Sequence, residues 1–240
     1  MKGVNFVIVG DFNQLPAIDN CRIDKENSIV LKQLCDSNKI ELKINKRSND
    51  KMFNLFLKVL DNKFDINDFQ TSDEDPREDE VHITQCNLQR EMINEFLQKE
   101  LSKNFKKTLL IPYYYDEKKK IDRPEIILWK GAPVEAHSNS LKNHGIYNNQ
   151  QFKVKSWDED DVYLIGNDRN DEEQEYVIPI AIFQSIIQSG FATTCHRVQG
   201  RTIKDKRIRI WNIDSEYVDK KWIYTAISRT NDWNNIYITV

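Results

Sequence analysis

A short polar string follows an apolar run near the N-terminus and is suited to phosphate chemistry. Residues 4–9 (VNFVIV) read as a buried parallel strand, and the string GDFNQLP (residues 10–16) comes directly after them. Ligands of α/β proteins bind at the carboxyl ends of strands, so Asp11 would lie where a nucleotide and its Mg²⁺ bind. The Gln14 amide can donate to a terminal phosphate or to the water that attacks it. A strand-to-loop turn capped by Asp11 is the simpler alternative.

Two later strings contain donors of the same kind. TCHRVQGRT (residues 194–202) has hydrogen-bond donors suited to phosphodiesters, and Gly200 would let backbone amides approach a nucleotide. A buried, satisfied histidine is the simpler interpretation of His196. YTAISR (residues 224–229) follows shortly after. Alone, it is typical of an amphipathic helix face with a solvated Arg229, but its position after the second string favours a functional arginine.

The three strings resemble the third, fifth and sixth motifs of superfamily 1 DNA helicases of the RecD/Pif type. They stand in the family's order, and the resemblance extends over residues 4–240. The family pattern A-x-T-x-H-K-x-Q-G-x-T matches residues 192–202 at every defining position except Arg197, where the family has Lys. Arginine keeps the charge but presents it as a planar fork, so the contact geometry can differ.

The resemblance implies an ATP- and Mg²⁺-dependent motor that moves 5′ to 3′ on single-stranded DNA. It implies that the arginine finger, which stabilises charge on the transferred phosphoryl group, is Arg229. The implied catalytic residues are Gln14, Arg47 and Arg229. The implied nucleotide-binding residues are Gly10, Asp11, Gln199, Gly200 and Thr202. The implied DNA-binding residues are Asn87, Thr194, His196 and Arg197. A surface position for Arg47 and a helix N-cap role for Asn87 remain alternatives.

The sequence lacks the phosphate-binding loop of such enzymes. No G-x-x-x-x-G-K-[ST] string occurs, and no Asp-Glu pair follows a strand before Gly10. In the family these elements hold the β- and γ-phosphates and the Mg²⁺. We therefore expect no ATPase activity from the chain alone. Three alternatives remain for the N-terminal half of the helicase: a separate polypeptide, a neighbouring split reading frame, or its loss.

The order of elements predicts an α/β fold with a RecA-like parallel sheet. Residues 1–70 would be the C-terminal remnant of a first RecA-like domain, and residues 71–240 a second one. A small β insertion at about 130–180 resembles the family's small barrel, but NNQ (residues 148–150) replaces its N-G-x-x-G turn. The predicted helices span residues 28–35, 51–60, 88–101 and 220–228. The predicted strands, besides 4–9, span residues 39–44, 81–86, 133–136, 151–157, 162–165, 176–178, 207–211 and 236–240.

The composition indicates the cellular setting of the protein but does not identify a binding partner. The net charge is −3 over 240 residues, so any DNA contact must come from a local group of basic residues. Four cysteines without C-x-x-C spacing argue against a zinc site and a disulfide framework, so we predict no structural metal and an intracellular, reducing setting. The sequence contains no run of about 20 apolar residues, so we predict no membrane-spanning helix.

Two functions fit these patterns. The first is the C-terminal part of a 5′–3′ DNA helicase acting in replication, repair or recombination. The second is a degenerate helicase that binds single-stranded nucleic acid or a partner without hydrolysis. Intact Gln14, Gln199 and Arg229 favour the first function, and the missing phosphate-binding loop favours the second. Abundant Asn, Lys and Ile are typical of an AT-rich genome such as that of a virus or a parasite.

Overall fold

The computed structural model describes residues 7–16, 27–35, 38–42, 44–117, 120–168, 170–204 and 206–239. The helices of this part of the chain are α1 (Ile29–Leu34), α2 (Asp50–Leu60), α3 (Asn87–Ser102), α4 (Phe183–Ile186), α5 (Cys195–Val198) and α6 (Lys220–Ile227). The strands are β1 (Gln70–Thr71), β2 (Glu80–Thr84), β3 (Leu109–Ile111), β4 (Tyr114–Asp116), β5 (Ile121–Arg123), β6 (Ile126–Leu128), β7 (Pro133–Ala136), β8 (Gln151–Trp157), β9 (Asp161–Asn167), β10 (Glu173–Pro179), β11 (Ile187–Ser189), β12 (Ala192–Thr194), β13 (Arg207–Trp211) and β14 (Ile236–Thr239).

A parallel sheet with the order β1-β14-β13-β2-β12 positions the candidate site. All its pairings are parallel, so the carboxyl ends of the five strands lie along one edge. Strand β12 pairs with β2 so that Thr194 lies beside Thr84, and the residues that follow these two strands therefore meet at that edge. The expected α/β fold with a central parallel sheet is confirmed.

Helices α2 and α6 pack on one face of the sheet, where alternate strand residues are apolar. Ile83, Ile208 and Ile210 are fully buried and share one core with helices α2 and α6. Helix α2 begins at its N-cap Asn49, whose side chain accepts a hydrogen bond from the Met52 amide at 2.9 Å. Helix α3 lies in the second core, with β12 and the insertion.

A second, antiparallel sheet forms the insertion, in the order β10-β9-β8-β7-β11. It runs from residue 133 to residue 189, somewhat beyond the predicted 130–180. Its edge strands β10 and β11 are not paired with each other among the described residues, so barrel closure stays a prediction. Asn149 occupies the left-handed region at φ 70° and donates its amide to the Ala136 carbonyl at 2.8 Å. Asparagine tolerates this conformation, so the turn forms without the family's glycine.

The two N-terminal strand predictions are wrong where the structure describes them. Residues 7–9 and 38–42 form no strand, and their apolar side chains are exposed, with Val7 at 90% and Ile40 at 89%. A strand needs a neighbour for its amides and carbonyls, and none of the described strands lies beside these segments. Residues 4–6 and 43 lie outside the described residues.

Helix α2 and strand β1 pack with the elements that follow them. Helix α2 lies against α6, and β1 pairs with β14. The domain boundary near residue 70 stays a prediction. Within the described residues, no helix combines the length and the apolar character needed to cross a membrane.

Candidate functional site

The first polar string docks onto helix α6 and the loop after α5. The Leu15 amide donates to the Thr225 hydroxyl at 2.8 Å, and the Gln199 side-chain amide donates to the Leu15 carbonyl at 3.1 Å. Thr225 is fully buried, so this hydrogen bond is shielded from water. The structure thus brings parts of all three strings together across 210 residues of chain.

Asp11 and Gln14 form a tight turn at one side of this junction. The Asp11 carboxylate accepts from the Asn13 amide at 3.0 Å and from the Gln14 side chain at 3.3 Å. It also lies near the phenol of Tyr224. Burial, and then the negative charge of Asp11, raise the pKa of Tyr224 to about 12. Gly10 is exposed, with open space around its α-carbon. In this arrangement Gln14 is held by Asp11, and a phosphate contact would require it to exchange that bond.

Arg229 is buried, which rules out the solvated arginine considered above. It is 2% exposed, and its guanidinium donates to the Thr225 carbonyl, the Arg201 carbonyl and the Ser228 hydroxyl at 2.9, 3.1 and 2.6 Å. Five N–H groups are available to a guanidinium, so these bonds use three of them. Burial lowers the pKa of Arg229, and repulsion by Arg47 lowers it further. Two cations therefore lie close to each other, and an anion between them would relieve that repulsion.

Arg47 is joined to the second string. Its guanidinium donates to the Thr202 hydroxyl at 3.1 Å, and this contact is exposed to solvent. Gly200, two residues before Thr202, has a φ of +86°, which a residue with a side chain adopts only with strain. Gln199 and Gly200 are themselves exposed. The loop therefore presents backbone and side-chain donors on the same side as Arg47.

The predicted DNA-binding residues lie at the ends of the neighbouring strands β2 and β12. Asn87 is the first residue of α3 and is exposed, and its side chain accepts from Arg90 at 2.9 Å. The N-cap position belongs to Cys86, so Asn87 does not cap the helix. Thr194 is buried, and His196 is half-buried with its pKa lowered by burial. The structure brings these three residues to one edge.

Arg197 is engaged inside the protein rather than held out to solvent. Its guanidinium donates to the side chains of Asn149 and Asn148 at 2.9 and 3.1 Å and to the Ala136 carbonyl at 3.1 Å. It also lies 3.4 Å from the Glu135 carboxylate. Burial lowers the pKa of Arg197. Phosphate contact by Arg197 stays a prediction, and these bonds favour a role in holding the insertion.

Sequence reasoning missed two members of this network, Glu135 and Arg201. Glu135 is 2% exposed, and its carboxylate accepts from Arg201 at 2.7 Å. A charged residue inside the short apolar strand β7 was the available signal for Glu135. Arg201 occupies an unspecified position of the family pattern, so the resemblance does not single it out.

The residues of this junction fit only part of a magnesium nucleotide. Arg47, Arg229 and Gln14 suit the charge and oxygens of a terminal phosphate. Asp11 offers one carboxylate, but the described residues contain no group of three or more acidic, His or Cys side chains able to hold a metal ion. The junction therefore has candidate phosphate sensors without a complete Mg²⁺ cradle.

Solved structures of Pif1 helicases share this fold. The match to the Candida albicans Pif1 helicase has a TM-score of 0.67 at 12% identity and covers 96% of this chain and 62% of that one. The match to Bacteroides Pif1 in complex with ADP-AlF3 and ssDNA has a TM-score of 0.59 at 15% identity, covering 95% and 60%. Bacteroides Pif1 bound to ssDNA matches with a TM-score of 0.57 at 14% identity, covering 82% and 50%.

Two further facts limit what these similarities show. The chain spans about half to three-fifths of the length of the solved helicases it matches. No protein-family model matches the sequence, and no curated protein sequence matches it. The similarities therefore show the Pif1-type helicase fold, and activity rests on the site itself.

Proposed function

We propose that this chain is the C-terminal part of an ATP-dependent 5′–3′ DNA helicase. The observation that carries the proposal is the junction of the three strings, in which Leu15 bonds to Thr225, Gln199 bonds to Leu15, and Arg47 bonds to Thr202. A protein that had lost nucleotide use would have no need to keep these polar groups together. The similarity to helicases solved with ssDNA and with ADP-AlF3 supports the proposal.

In this function Gln14, Arg47 and Arg229 face the terminal phosphate of ATP. Arg229 stabilises the charge that builds on the phosphoryl oxygens, and Gln14 orients the attacking water. Asp11, Gly10, Gln199, Gly200 and Thr202 line the nucleotide side of the loop. ATP and Mg²⁺ supply the transferable phosphoryl group and the charge that neutralises it. The phosphate-binding loop must come from a first RecA-like domain outside this sequence.

The DNA track in this proposal lies along the ends of β2 and β12. Asn87, Thr194 and His196 contact phosphates of single-stranded DNA, and the positive charge of Arg197 adds to the local potential. Arg197 reaches a phosphate itself only if it releases Asn148 and Asn149. Since the net charge is −3, these local groups provide the attraction.

Exposed apolar side chains in the N-terminal segment support the proposal that another part of a protein packs against it. Val7, Val9, Ile40 and Leu42 are each exposed by 86% or more. We propose that the remainder of a first RecA-like domain covers them, either in the same polypeptide or as a separate chain. The proposed setting is intracellular, in replication, repair or recombination, and a viral origin is part of the proposal only.

The test is reconstitution of ATP hydrolysis. The chain alone should show no ATPase above background. Addition of a polypeptide that carries the phosphate-binding loop should give DNA-stimulated turnover. In that mixture Arg229→Ala should reduce kcat by about 10³-fold or more, as expected for an arginine finger. An unchanged kcat would remove Arg229 from the active site.

The second candidate is a non-catalytic module that binds single-stranded DNA. The absence of a phosphate-binding loop from the sequence favours it. It predicts that the chain binds oligonucleotides with the same affinity with and without ATP, and that no added polypeptide restores hydrolysis. DNA-stimulated turnover in the reconstituted mixture would exclude this candidate.

A further inference from the structure

We propose that Glu135 is a positioning residue that ties the β insertion to the loop holding Arg229. The loop consists of residues 201–203. Each of its residues contacts a different part of the molecule: Arg201 the insertion, Thr202 the side chain of Arg47, and Ile203 the Arg229 carbonyl. Glu135 would fix the position of this loop, and the loop would fix the position of Arg229.

Glu135, Arg197 and Arg201 form a buried ion triad. One Glu135 oxygen lies 2.7 Å from the Arg201 guanidinium, and the other lies 3.4 Å from that of Arg197. The Glu135 side chain is 2% exposed, against 17% for Arg197 and 20% for Arg201. A buried carboxylate is stable when it is paired on both oxygens, and removing one partner of such a group is strongly destabilising.

The second step is the shortage of negative charge around the triad. Arg90, Arg123 and Arg201 all repel Arg197, and Glu135 is the acid that attracts it. Replacing Glu135 with a neutral residue would leave the Arg197 and Arg201 guanidinium groups without their shared counter-charge. These groups would separate, and Arg201 would move away from the insertion.

The third step is the link from Arg201 to Arg229. The Arg201 guanidinium also donates to the Asn149 carbonyl at 2.5 Å, which fixes it to the turn of the insertion. The Arg201 backbone carbonyl accepts from the Arg229 guanidinium at 3.1 Å, and the Ile203 amide donates to the Arg229 carbonyl at 2.7 Å. Any displacement of residues 201–203 therefore acts on both the side chain and the backbone of Arg229.

A consequence follows for nucleotide use, and it rests on the proposed function. Movement of the insertion, for example on binding DNA, would be transmitted to Arg229 through Glu135 and Arg201. The structural link itself can be tested without ATP or DNA. The failure of one proposal can therefore be told from the failure of the other.

The test compares Glu135→Gln with Glu80→Gln by hydrogen–deuterium exchange on the full chain. Glu80 is a matched control, because it is also buried and lies 2.8 Å from Arg209 and 3.4 Å from Arg207, but it sits at the amino end of strand β2. Both variants should lower the unfolding temperature. Glu135→Gln alone should speed exchange of the Ile203 amide by about tenfold or more, the factor expected when a charge-assisted hydrogen bond is lost.

A second variant keeps the test decisive if Glu135→Gln does not fold. Arg201→Met keeps the aliphatic stem, removes the bonds to Glu135 and Asn149, and should accelerate exchange at Ile203 in the same way. Equal exchange at Ile203 in the wild type and in Arg201→Met would overturn the proposal, as would equal exchange in Glu135→Gln and Glu80→Gln. Fluorescence anisotropy with an oligo-dT probe tests DNA binding, and thus the proposed function, separately.

Discussion

Acid should destabilise this protein through His82, a fully buried imidazole. His82 Nε2 lies 2.9 Å from the Arg77 carbonyl, and His82 Nδ1 lies 3.3 Å from the indole nitrogen of Trp211. The neutral ring satisfies both contacts, because Nε2–H donates to the carbonyl and Nδ1 accepts from the indole N–H. Protonation would place an N–H on Nδ1 that faces the indole donor.

Burial lowers the pKa of His82 to about 4, and the positive charge of Arg209 acts in the same direction. The folded-state pKa thus lies below the unfolded value of about 6.5, so the stability contributed by neutral His82 is fully present above that pH. It is lost as the pH falls from about 6.5 towards 4. Proton linkage, with a pKa of about 4 in the folded state and about 6.5 in the unfolded state, lowers the free energy of unfolding by about 2 kcal/mol between pH 7 and pH 5.

The assay is urea unfolding followed by circular dichroism at pH 7, 6 and 5. His82→Gln should be less stable than the wild type at pH 7, because the open-chain amide lacks the ring that fixes one donor on the Arg77 carbonyl and one acceptor on the Trp211 indole. It should also lose about 2 kcal/mol less than the wild type between pH 7 and pH 5. His144→Gln is the matched control, since His144 is exposed, and it should follow the wild type. If His82→Gln loses as much stability as the wild type over this range, His82 is not buried in its neutral form.

Two further substitutions test the site. Arg197→Ala should lower the unfolding temperature and change the slope of log Kd against log salt for oligo-dT by less than about half a unit, because its bonds are internal. A slope shallower by about one unit would assign a phosphate contact to Arg197. Gly200→Ala should destabilise the chain by about 1 kcal/mol because of its positive φ, whereas Gly10→Ala should not. Equal unfolding temperatures of the two glycine variants would show that the loop does not need its left-handed turn.

Many of the elements after residue 50 could be predicted from the sequence, because the spacing of their apolar side chains reflects which face is buried. The short strands β3, β4, β5 and β6 were not predicted. Strands β7, β8 and β13 have the predicted bounds. Helices α2 and α6 differ from prediction by one residue at one end, and α3 differs by one residue at each end. The segments at residues 7–9 and 38–42 could not be predicted in the same way. Their apolar runs have the local character of strands, but strand formation depends on neighbours that local character does not specify.

The sequence predicted the part of the candidate site that the three motif strings contain. The resemblance implied that Gln14, Arg47 and Arg229 act together at the nucleotide, and that role stays a prediction. The structure brings their segments of the chain together. Glu135 and Arg201 are 66 residues apart, and a single ion pair leaves no periodic pattern in the sequence. The family pattern placed Arg197 on DNA because it describes residue types, whereas the contacts to Asn148 and Asn149 depend on a turn particular to this chain.

The insertion begins and ends on adjacent strands, so its two connections to the rest of the chain lie side by side. Strand β7 leads into it, β11 leads out, and the two pair directly through Ile187 and Ala136. A segment closed at its base in this way can be lengthened or shortened at the far end without separating its anchors. The turn between β9 and β10, around Asp171, leads into the edge strand β10, and residues 170–172 are exposed. It is therefore a suitable position for a fluorophore or an affinity tag that would report on the insertion while leaving the parallel sheet intact.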